Sequence, residues 1–255
     1  QSNANSHSAW LTFIYPRLYI AKQLLKENGV IFISIDDNEQ SQLKILCDEV
    51  FGEQRFLGSL IWKRRASSAM AENNISIDHE YVIVYGKSEQ SHFIGTKKNY
   101  ANYSNPDNDP RGDWVLGDLT VGMTSAMRPN QAYDLEDPKT GNIFAYNPNR
   151  VWSYIPSSMA ELINDGRIFF PNDPTKRPML KRFKSELNSD VNPFSSLMLD
   201  KVGLNTEGTK TIQRLFNQNI FGYSKPLSLL KVLINQVIEN ESEYVLDFFA
   251  GSGST

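Results

Sequence analysis

The chain has 255 residues, of which 40% are hydrophobic and 22% charged, and its formal net charge at pH 7 is −3. This composition is typical of a soluble globular protein with one large or two modest domains, and no apolar run reaches the ~18 residues of a membrane helix. The one cysteine, Cys47, excludes an intrachain disulfide and a cysteine-based zinc site, and it favours a reducing cytoplasm.

The first predicted elements alternate between helix and strand. Residues 1–4 are interpreted as a cloning remnant. Apolar residues recur at helical spacing from Trp10 to Glu27, and Val30 to Ile35 is typical of a buried strand. Asp37 or Asn38 is predicted to cap a second helix, Gln40 to Val50. This order of elements favours an α/β fold.

Two further strands are predicted before the chain changes character. They are Phe56 to Trp62 and Tyr81 to Tyr85, and the small, polar segment between them, Ala66 to Ile77, is typical of a flexible loop. Residues 88–223 are rich in Asn, Asp and Pro, which indicates an inserted, loop-rich domain. Two short helices are predicted within it, near Ser157 to Asn164 and near Thr209 to Asn217.

The end of the chain is predicted to bind a ligand. A helix from Leu227 to Glu239 precedes an apolar run that stops at Asp247, and a glycine-rich turn follows. A buried parallel strand presents its carboxyl end to a nucleotide-like ligand in this way. No lysine follows Gly253, so the turn is not a P-loop, and the third glycine of a dinucleotide fingerprint is missing.

Two pairs of polar residues have both a catalytic and a structural interpretation. Asp36 and Asp37 follow a strand, where they are an acid pair or, as we favour, residues that cap the next helix. His79 and Glu80 are neighbours on a strand and point to opposite faces, which argues against a shared proton path.

Taken in order, several motifs resemble the β-type DNA amino-methyltransferases, in particular the modification subunit of type III restriction–modification systems. The resemblance covers nearly the whole chain, and its order is more specific than any one motif. The motifs that carry it are Ser8-Ala-Trp10, Pro16-Arg-Leu18, Gly29 to Glu39, Ile61-Trp-Lys-Arg64, His79 to Lys87, Pro110 to Trp114, Gly166-Arg-Ile-Phe169, Lys225-Pro226 and Leu246 to Thr255.

The resemblance implies a Rossmann-like α/β sheet that binds S-adenosylmethionine, interrupted by a large α+β target-recognition domain. Residues 5–87 and 224–255 are then the two parts of the methyltransferase core, and residues 88–223 are the insert. By the same resemblance, the cofactor's methionine portion contacts the glycine-rich turn, and the preceding loop supports the pocket. The implied cofactor-binding residues are Asp247, Phe249, Ala250, Gly251, Gly253, Lys225 and Pro226.

The catalytic Asp-Pro-Pro-Tyr motif of these enzymes is absent, since the sequence has no Pro-Pro dipeptide. That motif holds the flipped base and its exocyclic amine. We therefore expect an internal piece of a longer adenine-N6 methyltransferase, inactive alone and without a catalytic residue of its own. Cytosine-N4 methylation and a non-catalytic DNA-binding or assembly subunit remain alternatives, whereas a nicotinamide-dependent oxidoreductase is disfavoured.

The insert is expected to bind double-stranded DNA, although turns and a solvated helix face explain the same residues equally well. The segment Arg128-Pro-Asn-Gln131 carries the candidates for base contacts, because Arg, Asn and Gln bind purine edges. The candidates for phosphate contacts are basic residues: Lys176, Arg177, Lys181, Arg182 and Lys184. The resemblance further implies a restriction subunit with helicase and nuclease activities and a second modification subunit as partners.

Overall fold

The structure is a computed structural model that describes residues 4–66, 75–199, 201–218, 221–222, 224–251, 253 and 255. It divides into two compact units, Gln1–Thr96 with Val191–Thr255, and Lys97–Asp190. The second unit lies inside the predicted insert 88–223, whose boundaries stay a prediction. Residues 1–3 of the predicted cloning remnant lie outside the described residues, and so does most of the predicted loop 66–77.

The described residues contain α-helices, β-strands and short 3-10 helices. The α-helices are α1 Ala4–Leu24, α2 Gln40–Phe51, α3 Pro156–Asn164, α4 Asn205–Phe216 and α5 Leu227–Ile234. The strands are β1 Val30–Ile35, β2 Phe56–Lys63, β3 His79–Gly86, β4 Thr96–Lys97, β5 Trp114–Gly117, β6 Leu135–Glu136, β7 Ile143–Phe144, β8 Ile168–Phe169, β9 Met179–Phe183, β10 Val191–Asn192 and β11 Leu197–Met198. Short 3-10 helices span Glu53–Arg55, Pro129–Gln131 and Lys184–Glu186.

The first unit contains a four-stranded sheet with the order β1-β3-β2-β11. Strand β3 runs antiparallel to β1 and β2, and β11 runs parallel to β2. The three strands predicted for residues 30–85 are therefore confirmed. The mixed directions differ from a parallel sheet, because β3, which follows β2 after residues 64–78, lies between β1 and β2 and runs antiparallel to both.

Both faces of this sheet are covered. Successive side chains of β3 alternate between two apolar cores, so Ile83 and Tyr85 pack with α1 and α2, whereas Val82 and Val84 pack with α5. The result is a three-layer α/β/α arrangement within the first unit. Cys47 packs in the first of these cores as predicted, and burial raises the pKa of its thiol to about 12.

The helix prediction for α2 is confirmed, but its predicted cap is wrong. The N-cap residue is Glu39, and no side chain there accepts a hydrogen bond from the helix. The carboxylate of Asp36 instead accepts hydrogen bonds from the backbone N–H of Asn38 at 3.1 Å and from its Nδ2 at 2.9 Å. This local side-chain turn competes with helix capping, since one carboxylate serves the turn before the helix begins.

The predicted final strand is also wrong in this structure. Helix α5 ends at Ile234 rather than Glu239, and the apolar run before Asp247 is not part of a sheet. Tyr244 is 94% exposed and Leu246 is 61% exposed. An apolar run becomes a strand only when a neighbour satisfies its backbone groups, and none of the described residues does so here.

The second unit has its own core. Strands β5, β9 and β8 form an antiparallel sheet, and β6 pairs with β7 in a hairpin. Helix α3 confirms the helix predicted near residues 157–164. Its Met159 packs with residues from the sheet and the surrounding loops, among them Leu119, Phe144, Trp152 and Ile168.

The chain thus has a mixed α/β fold with small sheets, which confirms the predicted class at that level. The Rossmann-like sheet and the target-recognition role of the insert stay predictions. Among the described residues, no helix has both the length and the apolar composition needed to cross a membrane.

Candidate functional site

The glycine-rich turn after Asp247 is compact and depends on its glycines. The Asp247 carboxylate accepts hydrogen bonds from the Phe249 N–H at 3.2 Å and the Thr255 hydroxyl at 2.6 Å. The φ angles of Gly251 and Gly253 are +54° and +66°, in the left-handed region that favours glycine. A Cβ at Gly253 would meet no atom of the described residues within 4 Å, so open space borders this backbone in the part of the chain that the structure describes.

Exposed aromatic rings lie beside this turn. The Phe249 ring is 48% exposed and lies 5.0 Å from the ring of Phe248 and 6.2 Å from that of Phe13. A Cβ at Gly251 would lie 3.2 Å from the Phe221 ring, which therefore packs directly against the turn. These rings give the turn an apolar surface that can stack on a flat or apolar ligand.

Lys225 is held by a buried carboxylate. Its Nζ lies 2.5 Å from Oε2 of Glu80, while Nη1 of Arg64 lies 3.2 Å from Oε1 of the same residue. We call these three residues the Glu80 network. Glu80 is only 8% exposed, and Lys225 also lies 5.4 Å from the ring centre of Trp62. The Lys225 ammonium is therefore directed into the protein and fixes the loop that it belongs to.

Helix α4 fixes the same loop from the other side. Pro226 is the N-cap residue of α5, and the Glu207 carboxylate accepts hydrogen bonds from the N–H of Ser228 at 3.0 Å and from its hydroxyl at 2.9 Å. A Cβ at Gly208 would lie 2.2 Å from the carbonyl oxygen of Ser224, so only glycine permits this approach. Lys225 and Pro226 are thus rigidly positioned.

Sequence reasoning missed the supporting role of Glu80 and Glu207. A glutamate inside the apolar run of β3 was a signal for Glu80, because a charge on a buried strand needs a partner. No local pattern pointed to Glu207, whose partner lies 21 residues away.

The two predicted parts of the cofactor site, the glycine-rich turn and the Lys225–Pro226 loop, make no polar contact with each other among the described residues. Within the part of the chain that the structure describes, no hydrogen bond or ion pair joins Asp247–Gly253 to Lys225–Pro226. The ring of Phe221, four positions before Lys225, is the contact that the turn makes on that side.

The neighbours His79 and Glu80 lead to opposite faces, as predicted. Nε2 of His79 lies 3.0 Å from the hydroxyl of Tyr81, two positions along the strand, whereas Glu80 contacts Arg64 and Lys225. Burial, followed by the charge and hydrogen bonding of Asp37, raises the pKa of the Tyr81 hydroxyl. Asp37 therefore has a partner of its own in the Tyr81 hydroxyl.

Only part of the segment 128–131, which was predicted to contact DNA bases, is exposed at the surface. Arg128 and Asn130 are exposed, whereas Gln131 is 6% exposed and its Nε2 donates to the carbonyl oxygen of Ser153 at 3.0 Å. The prediction that Gln131 contacts a base is therefore not supported, because its amide lies inside the second unit and binds the backbone.

The basic residues of β9 alternate between inside and outside. Lys181 is 8% exposed, its Nζ donates to Asp107, and it lies 3.8 Å from Asp109. This hydrogen bond is the main reason why the pKa of Asp107 is lowered. The neighbours Arg182 and Lys184 are exposed. We therefore correct the prediction for Lys181, whose charge is already neutralised within the fold, and retain the two outward residues.

A second carboxylate with two cations lies at the surface of the second unit. The Thr120 hydroxyl donates to Oδ1 of Asp118 at 2.6 Å and accepts from Nε of Arg150 at 2.7 Å and from Nη1 of Arg177 at 3.2 Å. Nη2 of Arg150 donates to Oδ2 of Asp118. These four residues are the Asp118 network. The Thr120 hydrogen bond, with Arg150 as a further donor, lowers the pKa of Asp118 to about 2.

The Asp118 network adjoins the exposed residues of the 128–131 segment. Backbone hydrogen bonds join Ser125 to Pro148 at 2.7 Å and Trp152 to Gln131 at 3.2 Å, so the two loops run side by side. Arg177 was predicted from its charge, whereas Arg150 was missed because its partners are about 30 residues away in sequence. Lys176 is exposed in the same loop as Arg177. The described residues contain no group of three His, Cys, Asp or Glu side chains arranged for a metal ion.

Comparison with known proteins gives matches along the whole chain. A family model described as DNA methylase, for N6 and N4 enzymes, matches residues 1–255. The type III restriction-modification enzyme StyLTI Mod subunit of Salmonella typhimurium is 38% identical over 98% of this chain and 38% of that protein. The EcoP15I Mod subunit of Escherichia coli is 33% identical over 99% of this chain and 44% of that protein.

A type II enzyme matches over a similar stretch. The type II methyltransferase M.KpnI of Klebsiella pneumoniae is 29% identical over 98% of this chain and 62% of that protein. The chain therefore spans about two fifths of the length of the type III relatives and less than two thirds of this type II relative.

Proposed function

The chain belongs to the DNA methylase family, and on that premise we propose that it is part of a restriction–modification methyltransferase acting on adenine N6 in double-stranded DNA. The observation that carries the proposal is the Asp247–Gly253 turn, with two glycines at positive φ beside exposed aromatic rings, in a chain that matches the family throughout. Adenine rather than cytosine is proposed because the resemblance to type III modification subunits implies it.

The residues of the turn suit S-adenosylmethionine as the methyl donor. This cofactor supplies an electrophilic methyl group on its sulfonium. Gly253 leaves room for a ligand to approach the backbone, whereas the Phe221 ring occupies the space beside Gly251. Phe249 offers an exposed ring beside the turn. Ala250 adds only a methyl group to the turn, and Asp247 holds the turn through its two hydrogen bonds.

The Glu80 network acts indirectly in this proposal. Lys225 gives its charge to Glu80, so it positions the loop that includes Pro226 and does not contact the cofactor with its ammonium. The turn and the loop are therefore proposed as two supports of one pocket, one binding the ligand and one holding the backbone in place.

DNA binding is assigned to the second unit. The exposed residues Arg128 and Asn130 are proposed to contact bases, and Lys176, Arg177, Arg182 and Lys184 to contact phosphates. A restriction subunit and a second modification subunit are proposed as further partners, because the resemblance to type III modification subunits implies both.

Methylation by this chain alone is not expected, because the printed sequence lacks the Asp-Pro-Pro-Tyr motif that positions the extruded base. The full-length gene product is therefore the protein in which the function is tested.

The test is transfer of radiolabelled methyl groups from S-adenosylmethionine to duplex DNA by the full-length gene product and its Gly253→Ala variant. Alanine at φ +66° strains the turn by roughly 1–2 kcal/mol, which we expect to lower cofactor affinity about tenfold. Gly141→Ala is the matched control, because Gly141 has φ +74° and also has no atom within 4 Å of its Cβ position.

A loss of cofactor affinity in Gly253→Ala, with Gly141→Ala unchanged, supports the cofactor site. Equal effects of the two changes would place the turn outside it. If the wild-type protein transfers no methyl group to DNA, the enzyme proposal fails and a non-catalytic DNA-binding subunit becomes the better account.

A further inference from the structure

The Asp118 network presents one arginine in a fixed orientation at the surface. Arg150 donates from Nε to Thr120 and from Nη2 to Asp118, so two of its donors, on one edge of the guanidinium, hold it in place. Its side chain is 42% exposed. A free arginine side chain loses rotamer freedom on binding, and here that ordering is already achieved.

The remaining donors of Arg150 form a pair. No hydrogen bond of the described residues uses Nη1, and Nη2 keeps a second N–H group after its bond to Asp118. These outward N–H groups at the end of the guanidinium are parallel and coplanar. Such a pair matches two adjacent acceptors, as O6 and N7 of guanine present in the major groove of DNA.

The position of Asp118 distinguishes a base contact from a phosphate contact. A carboxylate beside an arginine weakens the attraction of that arginine for phosphate, because it cancels one positive charge. It also fixes the plane of the guanidinium, which a bidentate contact to a base edge requires. Asp118 stays ionised at neutral pH, since its pKa is about 2.

We propose that Arg150, oriented by Asp118 and Thr120, binds a guanine in the major groove and specifies that base in the recognition sequence. This inference rests on the proposed function, since it assigns a base-reading residue to the proposed DNA surface. Arg177 contacts the same Thr120 hydroxyl, and its side chain is 53% exposed. With two arginines and one aspartate, the network has a net charge of +1.

The test uses selection from a random pool of DNA duplexes by the full-length gene product, followed by sequencing of the bound DNA. We expect the wild-type protein to enrich a motif with at least one specified guanine. Arg150→Ala is expected to lose preference at one guanine by about tenfold while the other positions of the motif persist. Asp118→Asn keeps Arg150 but removes the charge that orients it, and it is expected to weaken preference at the same guanine.

Lys139→Ala is the matched control, because it removes one positive charge from another exposed position of the same unit. If Arg150→Ala selects the same motif as the wild-type protein, the inference is overturned. It is also overturned if Arg150→Ala binds all sequences more weakly by the same factor and its affinity depends less on salt, because these two changes indicate a lost phosphate contact. A wild-type protein that enriches no motif overturns it as well. Thermal unfolding of each variant separates these results from misfolding.

Methyl transfer is measured separately in the same preparations. A wild-type protein that selects a motif without methylating it contradicts the proposed enzyme function and leaves the role of Arg150 testable. A protein that methylates its motif, with that motif unchanged in Arg150→Ala, contradicts the role of Arg150 alone.

Discussion

The two units each contain one carboxylate between two cations, and the two networks differ in burial. In the first unit, the Glu80 side chain is 11% exposed between Arg64 and Lys225. In the second, the Asp118 side chain is 39% exposed between Arg150 and Arg177. The two networks therefore have the same arrangement of charges but different expected roles. The buried network fixes a loop, and the exposed network keeps donors available for a ligand.

The free energy lost when one member of a network is removed depends on how well water can replace that member. Removing one member of a buried ion pair leaves its partner without water or a counter-charge, which costs several kcal/mol, whereas water replaces a lost partner at the surface. The Glu80 network is thus expected to matter for stability, and the Asp118 network for binding.

The largest expected effect is that of Glu80→Gln. It leaves the ammonium of Lys225 and the guanidinium of Arg64 without their counter-charge, and we expect the free energy of unfolding to fall by about 2–4 kcal/mol. Urea denaturation measures this loss.

Glu89→Gln is its control, because Glu89 pairs with Arg55 at 3.3 Å while its side chain is 87% exposed. We expect a loss below ~0.5 kcal/mol there. Similar losses in the two variants would show that burial does not separate the networks.

The next effect concerns the alternation along β9. Lys181→Met removes the buried ammonium that neutralises Asp107 and is expected to lower stability by about 1–3 kcal/mol. Arg182→Met changes an exposed neighbour and is expected to leave stability within ~0.5 kcal/mol. Thermal unfolding compares the two, and a larger effect of Arg182→Met would contradict the inward position of Lys181.

Charge reversal on the outward side of β9 tests DNA binding. Arg182→Glu is expected to weaken binding to any duplex about tenfold at low salt and to reduce the salt dependence, because one phosphate contact is lost. Lys139→Glu provides the control with the same change of charge in the same unit. Equal affinities of Arg182→Glu and the wild-type protein at low salt would remove Arg182 from the DNA surface.

The smallest expected effect is on the pH dependence of stability. The folded pKa of Asp118 is about 2, below the usual value of ~3.9, so its pairing stabilises the protein above pH ~4 and is lost as the pH falls through 2. Because its side chain is 39% exposed, solvent screening limits the contribution to about 1 kcal/mol or less.

Thermal unfolding of the wild-type protein and Asp118→Asn checks this dependence. We expect a difference between their unfolding midpoints at pH 5. This difference should shrink as the pH falls toward 2 and be lost below it, where the Asp118 carboxyl is protonated and both side chains are neutral. A difference that persists unchanged at pH 2 would contradict ionisation as its cause.

Local patterns in the sequence predicted much of the fold. The periodicity of Ile14, Leu18 and Ala21 predicted α1, although this helix spans Ala4–Leu24 rather than Trp10 to Glu27. The apolar run of Val30–Ile35 predicted β1 with its correct bounds. These signals come from residues within a few positions of one another, so the chain's own spacing determines them.

Features that depend on distant partners were not predictable. The run before Asp247 has the composition of a strand but has no strand neighbour among the described residues, and a sheet requires both. The contact of Glu80 with Lys225 spans 145 positions, and that of Arg150 with Asp118 spans 32. Charge alone predicted Lys181 as a DNA contact, although strand alternation turns it inward.

Identification of the methylated nucleoside distinguishes adenine N6 from cytosine N4 as the target of the proposed methyltransferase. The full-length gene product is expressed in a host without DNA methyltransferases, and the nucleosides of its DNA are separated and measured by mass spectrometry. We expect N6-methyladenine in this DNA and none in the DNA of cells that carry the empty vector. N4-methylcytosine would contradict the adenine assignment, and unmodified DNA in the presence of folded protein would contradict the proposed activity.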